Sequence, residues 1–247
     1  MRPLIICHRG ARRYAPENTI PAFKKAIELG VDGVEFDVMS TLDGVPVVIH
    51  DDNLKRLTGR HIHIHETRFA DIEKIDIGRQ FNPFFADEKI PALKDVLQLF
   101  DGTNMLLNIE LKRQHRQHRN FLDHTLELVG QYGSRQKIIF SSFGREILYK
   151  LGRAAPEYKR SLIAAPRAFF FLDVLFFANM LAVSGMNPHI SLLNGLFMRY
   201  ARARKWEVMP WTVNEPHDIE RAVKLGVEAI ITDDPKLVME IFRTKGI

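Results

Sequence analysis

Short apolar runs alternate with stretches of helical periodicity along most of the chain. The apolar runs predict strands at Leu4–Cys7, Val34–Val38, Met105–Leu111, Lys137–Ser141, Arg160–Ala164, Gly185–Pro188, Val208–Val213 and Ala229–Thr232. The periodic stretches between them predict helices at Ile20–Leu29, Leu93–Phe100, Asn120–Tyr132, Arg145–Ala154, Asp218–Leu225 and Lys236–Arg243. Because parallel strands need crossover connections, this alternation indicates a parallel sheet. About eight such units in 247 residues predict one domain, 1–247, that folds as a TIM-type (β/α)8 barrel.

The alternative architecture is a doubly wound open sheet. Such sheets often carry a Gly-x-Gly-x-x-Gly turn after the first strand, and no such turn follows Leu4–Cys7. The alternation is interrupted between about residues 51 and 90, where polar and aromatic clusters surround short helical fragments. Long irregular connections in barrels are usually functional lids. We therefore predict an insertion at 51–90, after the second strand region, that caps the catalytic face.

Composition adds little to the fold but limits the function. The chain is 46% hydrophobic and 26% charged, which is ordinary for a globular protein. Its formal net charge of +5 favours anionic ligands without indicating nucleic acid. From this modest charge we predict no nucleic-acid partner. The single cysteine, Cys7, excludes an internal disulfide bond. A secretory signal needs a longer apolar core than Leu4–Cys7, so we predict a cytoplasmic protein.

The longest apolar stretch, 168–183, falls short of the roughly 20 apolar residues that a membrane span needs, and it contains Asp173 and Asn179. One interpretation is a buried helix of the barrel. The other is an apolar surface for peripheral contact with a membrane, a lipid tail or a second subunit. The sequence leaves both interpretations open, together with the oligomeric state.

Two carboxylates lie two positions apart in the second predicted strand. Side chains alternate along a strand, so Glu35 and Asp37 project to one side, and Phe36 and Val38 project to the other. Two carboxylates inside a barrel repel each other unless they are protonated or bridged by a cation. A salt bridge to Lys or Arg is the structural alternative. This strand therefore predicts a charged centre inside the barrel.

A hairpin is predicted to bring a histidine to this pair. Residues 41–44 form a turn signal, and the connection to the next apolar run is too short for a parallel crossover. A turn centred between Leu42 and Asp43 pairs residue 35 with residue 50. On this register His50 faces the two carboxylates, where a titratable imidazole is suited to catalysis.

Further charged residues follow strands that end at the barrel mouth, where the active sites of such barrels lie. His8 and Arg9 come directly after the first strand. Glu110 and Lys112 repeat the two-residue spacing at the end of another strand. Three carboxylates suit one hard divalent cation, Mg²⁺ or Ca²⁺, and two cationic side chains suit a phosphate group. The residues thus indicate metal-assisted phosphoryl chemistry.

An ordered series of short motifs runs from residue 4 to about residue 236. The series consists of His8-Arg9-Gly10, Pro16-Glu17-Asn18-Thr19, Gly30 with Asp32, Glu35 with Asp37, Asp43-Gly44, His50-Asp51, Glu110 with Lys112, Trp211 with Asn214, and Thr232-Asp233-Asp234-Pro235. In this order the motifs closely resemble those of the glycerophosphodiester phosphodiesterase family. The set is specific because so many separate motifs recur in one order.

The resemblance implies an enzyme, a phosphoric diester hydrolase, and a role for each matching residue. It implies one divalent cation, Mg²⁺ or Ca²⁺, on Glu35, Asp37 and Glu110, and an acid–base pair, in either order, of His8 and His50. For substrate binding it implies a phosphate clamp of Arg9 and Lys112, a pocket wall at Trp211 beside the glycerol, and supporting residues Glu17 and Asn18. In the mechanism that it implies, a glycerol hydroxyl attacks phosphorus, and water opens the resulting cyclic phosphate.

The implied substrate is a small glycerophosphodiester, such as glycerophosphocholine or glycerophosphoethanolamine, which yields glycerol 3-phosphate and an alcohol. The aromatic stretch Phe169–Phe177 and the basic run Lys112–Arg119 motivate an alternative. This is a lysophospholipase D-type enzyme that acts on lysophospholipids at a membrane surface. A third interpretation is a non-catalytic binding protein that keeps the fold. The sequence does not identify the leaving alcohol.

Three further histidines, His61, His63 and His65, alternate with isoleucine in the insertion. In an extended chain they share one face and could bind zinc. Apart from Glu66, no carboxylate or cysteine cluster flanks them in the sequence. We therefore interpret this segment as a solvated part of the cap.

Overall fold

The computed structural model describes residues 2–114, 116–133, 137–166 and 176–247. Its strands are β1 (Leu4–His8), β2 (Gly33–Ser40), β3 (Pro46–Val48), β4 (Leu106–Leu111), β5 (Lys137–Ser142), β6 (Lys159–Ala164), β7 (Gly185–Pro188), β8 (Glu207–Val208) and β9 (Ala229–Thr232). Its α-helices include α1 (Ile20–Leu29), α2 (Lys55–Thr58), α3 (Phe69–Ile72), α4 (Leu93–Leu99), α5 (Phe121–Tyr132), α6 (Arg145–Ala154), α7 (Gly195–Ala203), α8 (Pro216–Leu225) and α9 (Pro235–Lys245). Most of these elements lie where the hydrophobic pattern predicts them.

The strands form one barrel. Eight parallel strands follow the order β8-β7-β6-β5-β4-β2-β1-β9, and β3 is added antiparallel to β2. The two ends of this series are joined by backbone hydrogen bonds. The amide of Glu228 donates to the carbonyl of Val208 at 3.1 Å, and the amide of Ile231 donates to the carbonyl of Pro210 at 3.0 Å. The predicted TIM-type (β/α)8 barrel is therefore confirmed.

The strand predicted at Val208–Val213 is much shorter than expected. Only its start belongs to a strand, in β8. Pro210 and the neighbouring Pro188 of β7 have no N–H to donate, so the regular ladder stops here. The chain nevertheless continues beside β7, because the amide of Trp211 donates to the carbonyl of Pro188 at 3.0 Å.

The hairpin of β2 and β3 exists, but its predicted register is wrong by one residue. Val38 pairs with Val48. Extended to residue 50, this register would place His50 opposite Phe36 and not opposite Glu35. The strand pairs end at Val48, and one further hydrogen bond of the ladder runs from the amide of Ile49 to the carbonyl of Asp37 at 3.0 Å. His50 lies beyond this last hydrogen bond, so the alternation along the ladder does not dictate its direction.

The error lies in the turn. Ser40 pairs with Pro46, so the loop between them has five residues, 41–45, and its centre is Asp43. Gly44 has φ +83°, in the left-handed region that glycine adopts without steric cost, and its amide donates to the carbonyl of Thr41 at 3.0 Å. A loop with an odd number of residues moves every pair by one position relative to the predicted turn.

Helix caps explain why several helix bounds could be predicted. Thr19 caps the start of helix α1, because its hydroxyl accepts from the amide of Ala22, and Gly30, with φ +67°, caps the end. Helix α7, which the sequence analysis did not assign, begins in the same way, because Asn194 accepts from the amide of Phe197 at 2.9 Å. That asparagine was the available signal for α7 in the sequence.

The hydrophobic core of the described residues has a main cluster around the barrel, a smaller one in the insertion, and a third on the barrel strands that includes Ile6, Leu106 and Ile139. The main cluster includes three phenylalanine rings in edge-to-face contact, Phe23, Phe36 and Phe100. The smaller cluster joins Met39, Val47 and Ile49 of the hairpin region to Leu54, Ile64, Ile72, Ile77 and Ile90. Met39 follows Glu35 and Asp37 at the two-residue spacing of a strand, so the insertion packs on the face of β2 that carries these carboxylates.

The apolar stretch 168–183 lies partly outside the described residues. In its described part Leu181 and Val183 are buried in the main core, whereas Phe176 and Met180 are exposed. The buried residues agree with a barrel helix, and the exposed ones agree with a contact surface, so both interpretations stay open. Among the described residues, no helix is long and apolar enough to cross a membrane.

Candidate active site

Three carboxylates meet inside the barrel on neighbouring strands. Glu35 and Asp37 come from β2, and Glu110 comes from β4, where it lies in register with Asp37. One oxygen atom from each carboxylate lies within 4.8 Å of the others. All three residues are buried, with 8% of the surface exposed at most. The strand alternation thus brings the three predicted metal ligands together.

The two cations predicted to bind phosphate lie against these carboxylates. Nζ of Lys112 is 2.8 Å from Glu110 and 3.3 Å from Asp37. Nε of Arg9 is 3.4 Å from Asp37, and the backbone amide of Arg9 donates to Glu35 at 3.0 Å. The carboxylates outnumber the cations that contact them, so the cluster can accept further positive charge.

The predicted supporting residues contact this ion cluster from outside the cavity. Asn18 donates from Nδ2 to Asp37 at 2.9 Å, and Glu17 binds Arg9 at 2.9 Å. Glu17 also binds Arg56 of the insertion at 2.6 Å. Burial alone would raise the pKa of Glu17, but the hydrogen bonds and charges of these arginines outweigh it and lower the pKa. Glu17 therefore remains an anion that fixes Arg9.

Burial and mutual repulsion separate the pKa values of the three carboxyls. Burial, together with the charges of Asp37 and Glu110, raises the pKa of Glu35 well above its usual value. Burial and the charge of Asp37 raise the pKa of Glu110 to about 7. For Asp37, the charges of Lys112 and other nearby cations outweigh burial and hold its pKa below the usual value. Two of the three carboxyls thus have raised pKa values, and a cation bound between them would stabilise their ionised forms.

Both predicted catalytic histidines are oriented by a carboxylate. Nδ1 of His8 is 2.7 Å from Asp233, and Nδ1 of His50 is 2.6 Å from Asp51. Both histidines line the cavity described below, which Glu35 also lines, and a carboxylate oxygen of Glu35 lies 4.0 Å from Nε2 of His8. When Nδ1 carries a proton and donates it in a hydrogen bond to the carboxylate, Nε2 is the atom that can accept or donate a proton in the cavity.

Sequence reasoning assigned no role to Asp51 and Asp233. Their available signals were local: Asp51 follows His50 directly, and Asp233 belongs to a motif at the end of β9. Burial would raise the pKa of Asp233, but the hydrogen bond from His8 outweighs it and brings the pKa to about 2. Asn214 donates to the other oxygen of Asp233 at 2.8 Å. This carboxylate is therefore both ionised and fixed in place.

A cavity of about 160 Å³ opens beside the carboxylates and histidines. Trp211 forms part of its wall, as predicted, and Phe143 packs edge-to-face against the indole with 5.7 Å between the ring centroids. Asn108 and Ser141 also line it, and their buried side chains make no hydrogen bond within the described part of the chain. Unpaired buried polar atoms that face a cavity favour a polar ligand or water. Sequence reasoning missed these two residues because each stands within an apolar strand.

The sequence profile of the glycerophosphoryl diester phosphodiesterase family matches residues 8–237 of this chain. The chain belongs to this family. A glycerophosphodiester phosphodiesterase of Caldanaerobacter subterraneus is 33% identical over 246 residues, which cover 100% of both chains. A phosphodiesterase of Oleispira antarctica, solved in complex with the product sn-glycerol-3-phosphate, has a TM-score of 0.89 and 27% identity, and the match covers 98% of this chain and 97% of that one. A lysophospholipase D of Rattus norvegicus is 29% identical, over 95% of this chain and 84% of its own.

Membership of the family confirms the predicted reaction class. The chain is an enzyme, a phosphoric diester hydrolase, and its substrate class is a small glycerophosphodiester. The interpretation as a non-catalytic binding protein is therefore abandoned. The cluster of Glu35, Asp37 and Glu110 is an acidic site that can hold a metal ion.

Proposed function

We propose that this protein hydrolyses glycerophosphodiesters, such as glycerophosphocholine or glycerophosphoethanolamine, to glycerol 3-phosphate and an alcohol, and that the reaction requires a divalent cation. The observation that carries the proposal is one cavity with two carboxylate-oriented imidazoles beside three clustered carboxylates. The glycerol phosphate product in the relative from Oleispira antarctica supports the choice of substrate.

Glu35, Asp37 and Glu110 are proposed to hold the cation. They offer only oxygen atoms, which suit Mg²⁺ or Ca²⁺ better than softer metals. The raised pKa values of Glu35 and Glu110 fit this assignment, because a cation would favour their ionised forms. When bound, the ion supplies positive charge beside the phosphate oxygens and makes phosphorus easier to attack.

His8 and His50 are proposed to move the protons through Nε2. In the first step one imidazole removes the proton of a glycerol hydroxyl as its oxygen attacks phosphorus, and the other gives a proton to the oxygen of the departing alcohol. In the second step an imidazole takes a proton from water, the water oxygen attacks the cyclic phosphate, and the ring-closing P–O bond breaks with return of a proton to glycerol. Burial lowers the pKa of His50, which favours His50 as the first base.

Arg9 and Lys112 are proposed to bind the phosphate, and Trp211 is proposed to flank the glycerol. Burial would lower the pKa of Lys112, but Asp37 and Glu110 outweigh it, so the ammonium stays charged. Fixed positive charge near the phosphate oxygens stabilises the charge that builds up there in the transition state.

The insertion at 51–90 is proposed to cap the catalytic face of a single barrel domain, 1–247. Arg56 in helix α2 binds Glu17 at 2.6 Å and Asp51 at 2.6 Å. One arginine of the insertion is thus tied both to the residue that fixes Arg9 and to the residue that orients His50.

The direct test is the release of glycerol 3-phosphate from a panel of glycerophosphodiesters with Mg²⁺, Ca²⁺ or EDTA. We expect release with a divalent cation, loss of release in EDTA and recovery when the ion is restored. In His50→Ala we expect kcat to fall by about 10²–10⁴-fold, as for other positioned acid–base groups. Equal rates in EDTA would reject the metal requirement, and unchanged turnover in His50→Ala would reject the acid–base assignment.

The two histidine roles can be separated with a leaving group that needs no protonation. If His8 protonates the departing alcohol, His8→Ala should cleave a nitrophenyl diester of glycerol phosphate much better, relative to wild type, than it cleaves glycerophosphocholine. His50→Ala should be slow on both substrates. The reverse pattern would exchange the roles.

A lysophospholipase D activity is the second candidate, and the exposed aromatic ring of Phe176 favours it. Headgroup release from lysophosphatidylcholine should then fall in Phe176→Glu, with turnover of glycerophosphocholine unchanged. Phe84→Glu, at a more exposed phenylalanine in the insertion, is the matched control. Phe170 of the same apolar stretch lies outside the described residues. Membrane contact through 168–183 and the cytoplasmic location stay predictions.

A further inference from the structure

A second cluster of metal-ligand type lies in the insertion and consists of Asp52, His63 and His65. Nδ1 of His63 is 2.9 Å from Oδ2 of Asp52, and Nδ1 of His65 is 2.7 Å from the same oxygen. The two imidazole centroids are 5.5 Å apart. None of these three residues lines the catalytic cavity. Two imidazoles therefore point the same ring nitrogen at one carboxylate.

The backbone of the insertion builds this cluster. Residues 53 and 63 form an antiparallel bridge, and the amide of Ile64 donates to the carbonyl of Asp52 at 2.8 Å. Ile64 begins a short 3-10 helix, Ile64–Glu66, and is fully buried in the smaller hydrophobic cluster, whereas His63 and His65 on either side of it both direct Nδ1 at Asp52. The side chain of His65 is only 8% exposed, so the interpretation of this segment as solvated is wrong for His65, whereas His61 is exposed. The sequence analysis found no carboxylate cluster beside these histidines, because Asp52 lies eleven residues before His63 in the chain.

We propose that Asp52, His63 and His65 bind one divalent transition-metal ion, with Zn²⁺ as the best fit, at a site separate from the catalytic cation. Two imidazoles and one carboxylate suit Zn²⁺, Co²⁺ or Ni²⁺, whereas Mg²⁺ and Ca²⁺ prefer oxygen ligands alone. Each Nδ1 would coordinate the ion in place of donating its proton to Asp52, and the proton would move to Nε2 or leave with the buffer.

Neighbouring side chains stand where the partners of ligating groups are usually found. Nε2 of His65 is 3.4 Å from a carboxylate oxygen of Glu66. Metal-binding imidazoles commonly donate their other ring N–H to such a group. The side-chain amide of Asn53 is 3.1 Å from Nε2 of His63, and an amide offers both a donor and an acceptor.

Asp52 offers a carboxylate that already lies within hydrogen-bond distance of both imidazoles. The amide of His65 donates to Oδ1 of Asp52 at 3.2 Å, which fixes the carboxylate against the histidine segment. Asp52 is also only two residues from His50 in the chain, so a bound ion would hold the segment that carries this catalytic histidine.

The test measures binding and not activity, so its outcome is independent of the proposed function. Zn²⁺ and Co²⁺ are titrated into the full chain by equilibrium dialysis with excess Mg²⁺ to occupy the oxygen site. We expect one ion per chain, with the visible absorption of imidazole-ligated Co²⁺. The same result is expected in Glu35→Gln, which weakens only the catalytic carboxylate cluster.

Three histidine variants localise the site. His63→Gln and His65→Gln should lose the bound ion, whereas His61→Gln, at an exposed histidine of the same segment, should keep it. Glu66→Ala should weaken binding by about 10-fold, as for other partners of ligating imidazoles. Binding that survives in both His63→Gln and His65→Gln, or that is lost equally in His61→Gln, would overturn the proposal.

A measurement on the wild-type chain decides the matter where a variant does not fold. One equivalent of Zn²⁺ should shift the imidazole resonances of His63 and His65 and leave those of the exposed His61 and His217 in place. Absence of any shift in the folded chain would overturn the proposal.

Discussion

Single residues decide the chemistry, and the clearest case is the way in which each imidazole is held. His8 and His50 bind Asp233 and Asp51 through the same ring nitrogen, although His8 and Asp233 lie at opposite ends of the chain. An ionised carboxylate keeps the proton on Nδ1 and leaves Nε2 free for the substrate. An amide in its place can donate as well as accept, so it can hold the ring in the opposite tautomer.

Asp233→Asn should therefore lower kcat by at least about 10²-fold and leave KM nearly unchanged, since the substrate does not need Asp233 for binding. Steady-state kinetics with a glycerophosphodiester measure both constants. The matched control is Asp234→Asn. Asp234 caps helix α9, and asparagine is an equally good cap, so this variant should keep the wild-type rate. Equal losses in the two variants would contradict the orienting role of Asp233.

Glu110 connects the metal site to pH. Its pKa is raised to about 7 by burial and by the charge of Asp37, from an ordinary value of 4.5. A carboxyl with a raised pKa in the folded state stabilises the fold below its ordinary pKa, and this contribution is lost as the pH rises through about 7. A divalent cation takes the place of the proton, so the metal should matter most at high pH.

The increase in Tm on addition of Mg²⁺ or Ca²⁺ should therefore grow between about pH 5 and about pH 8. Thermal unfolding at both pH values, with the ion or with EDTA, measures this difference. Glu110→Gln should show a smaller increase that depends less on pH. An increase in wild type that is the same at both pH values would exclude Glu110 as a proton-linked ligand.

At the scale of elements, strand alternation could be predicted and strand register could not. Alternation is a property of each strand alone, so Glu35 and Asp37 were correctly placed on one side of β2. Register depends on the turn, where Gly44 and an odd loop length moved every pair by one residue. His50 still reaches the cavity, because it lies beyond the last paired residue of β3.

The insertion owes its position to its own small core. Ile72 of helix α3 is fully buried there, together with hairpin residues such as Ile49 that adjoin the active site. Ile72→Ala should lower the free energy of unfolding by about 2–5 kcal/mol, through lost burial and the cavity that is left. Urea denaturation measures the loss, and hydrogen exchange should increase more within 51–90 than in the barrel strands. Leu42→Ala, at a half-exposed leucine, should stay within about 0.5 kcal/mol of wild type, and an equal loss there would contradict the role of this core.

At the scale of the whole molecule, the sequence predicted the barrel because its repeating units are local. It also predicted that the carboxylates of β2 and β4 meet, because charged residues at the ends of barrel strands share one mouth, but it did not predict groupings that no such signal marks. Asn108 and Ser141 come together at the cavity from β4 and β5, and Asp52 meets His63 and His65 across a loop. No periodicity along the chain brings such residues into one group, and only their three-dimensional packing does.

Closure of the barrel between β8 and β9 is the remaining global feature, and Glu228 supplies two contacts there. Its amide donates to the carbonyl of Val208 at 3.1 Å, and its Oε2 accepts from the amide of Val208 at 2.6 Å. The side chain thus provides an acceptor for a β8 amide just before β9 begins, at Ala229.

Glu228→Ala should lower the free energy of unfolding by about 1–3 kcal/mol, because the amide of Val208 then loses its charged acceptor in a buried strand. Glu228→Gln keeps an acceptor at the same place and should lose clearly less. Urea denaturation of the two variants compares them directly. A loss in Glu228→Gln as large as that in Glu228→Ala would mean that the carboxylate charge, and not the hydrogen bond, stabilises the closure. Wild-type stability in both variants would mean that the backbone hydrogen bonds between β8 and β9 close the barrel without help from this side chain.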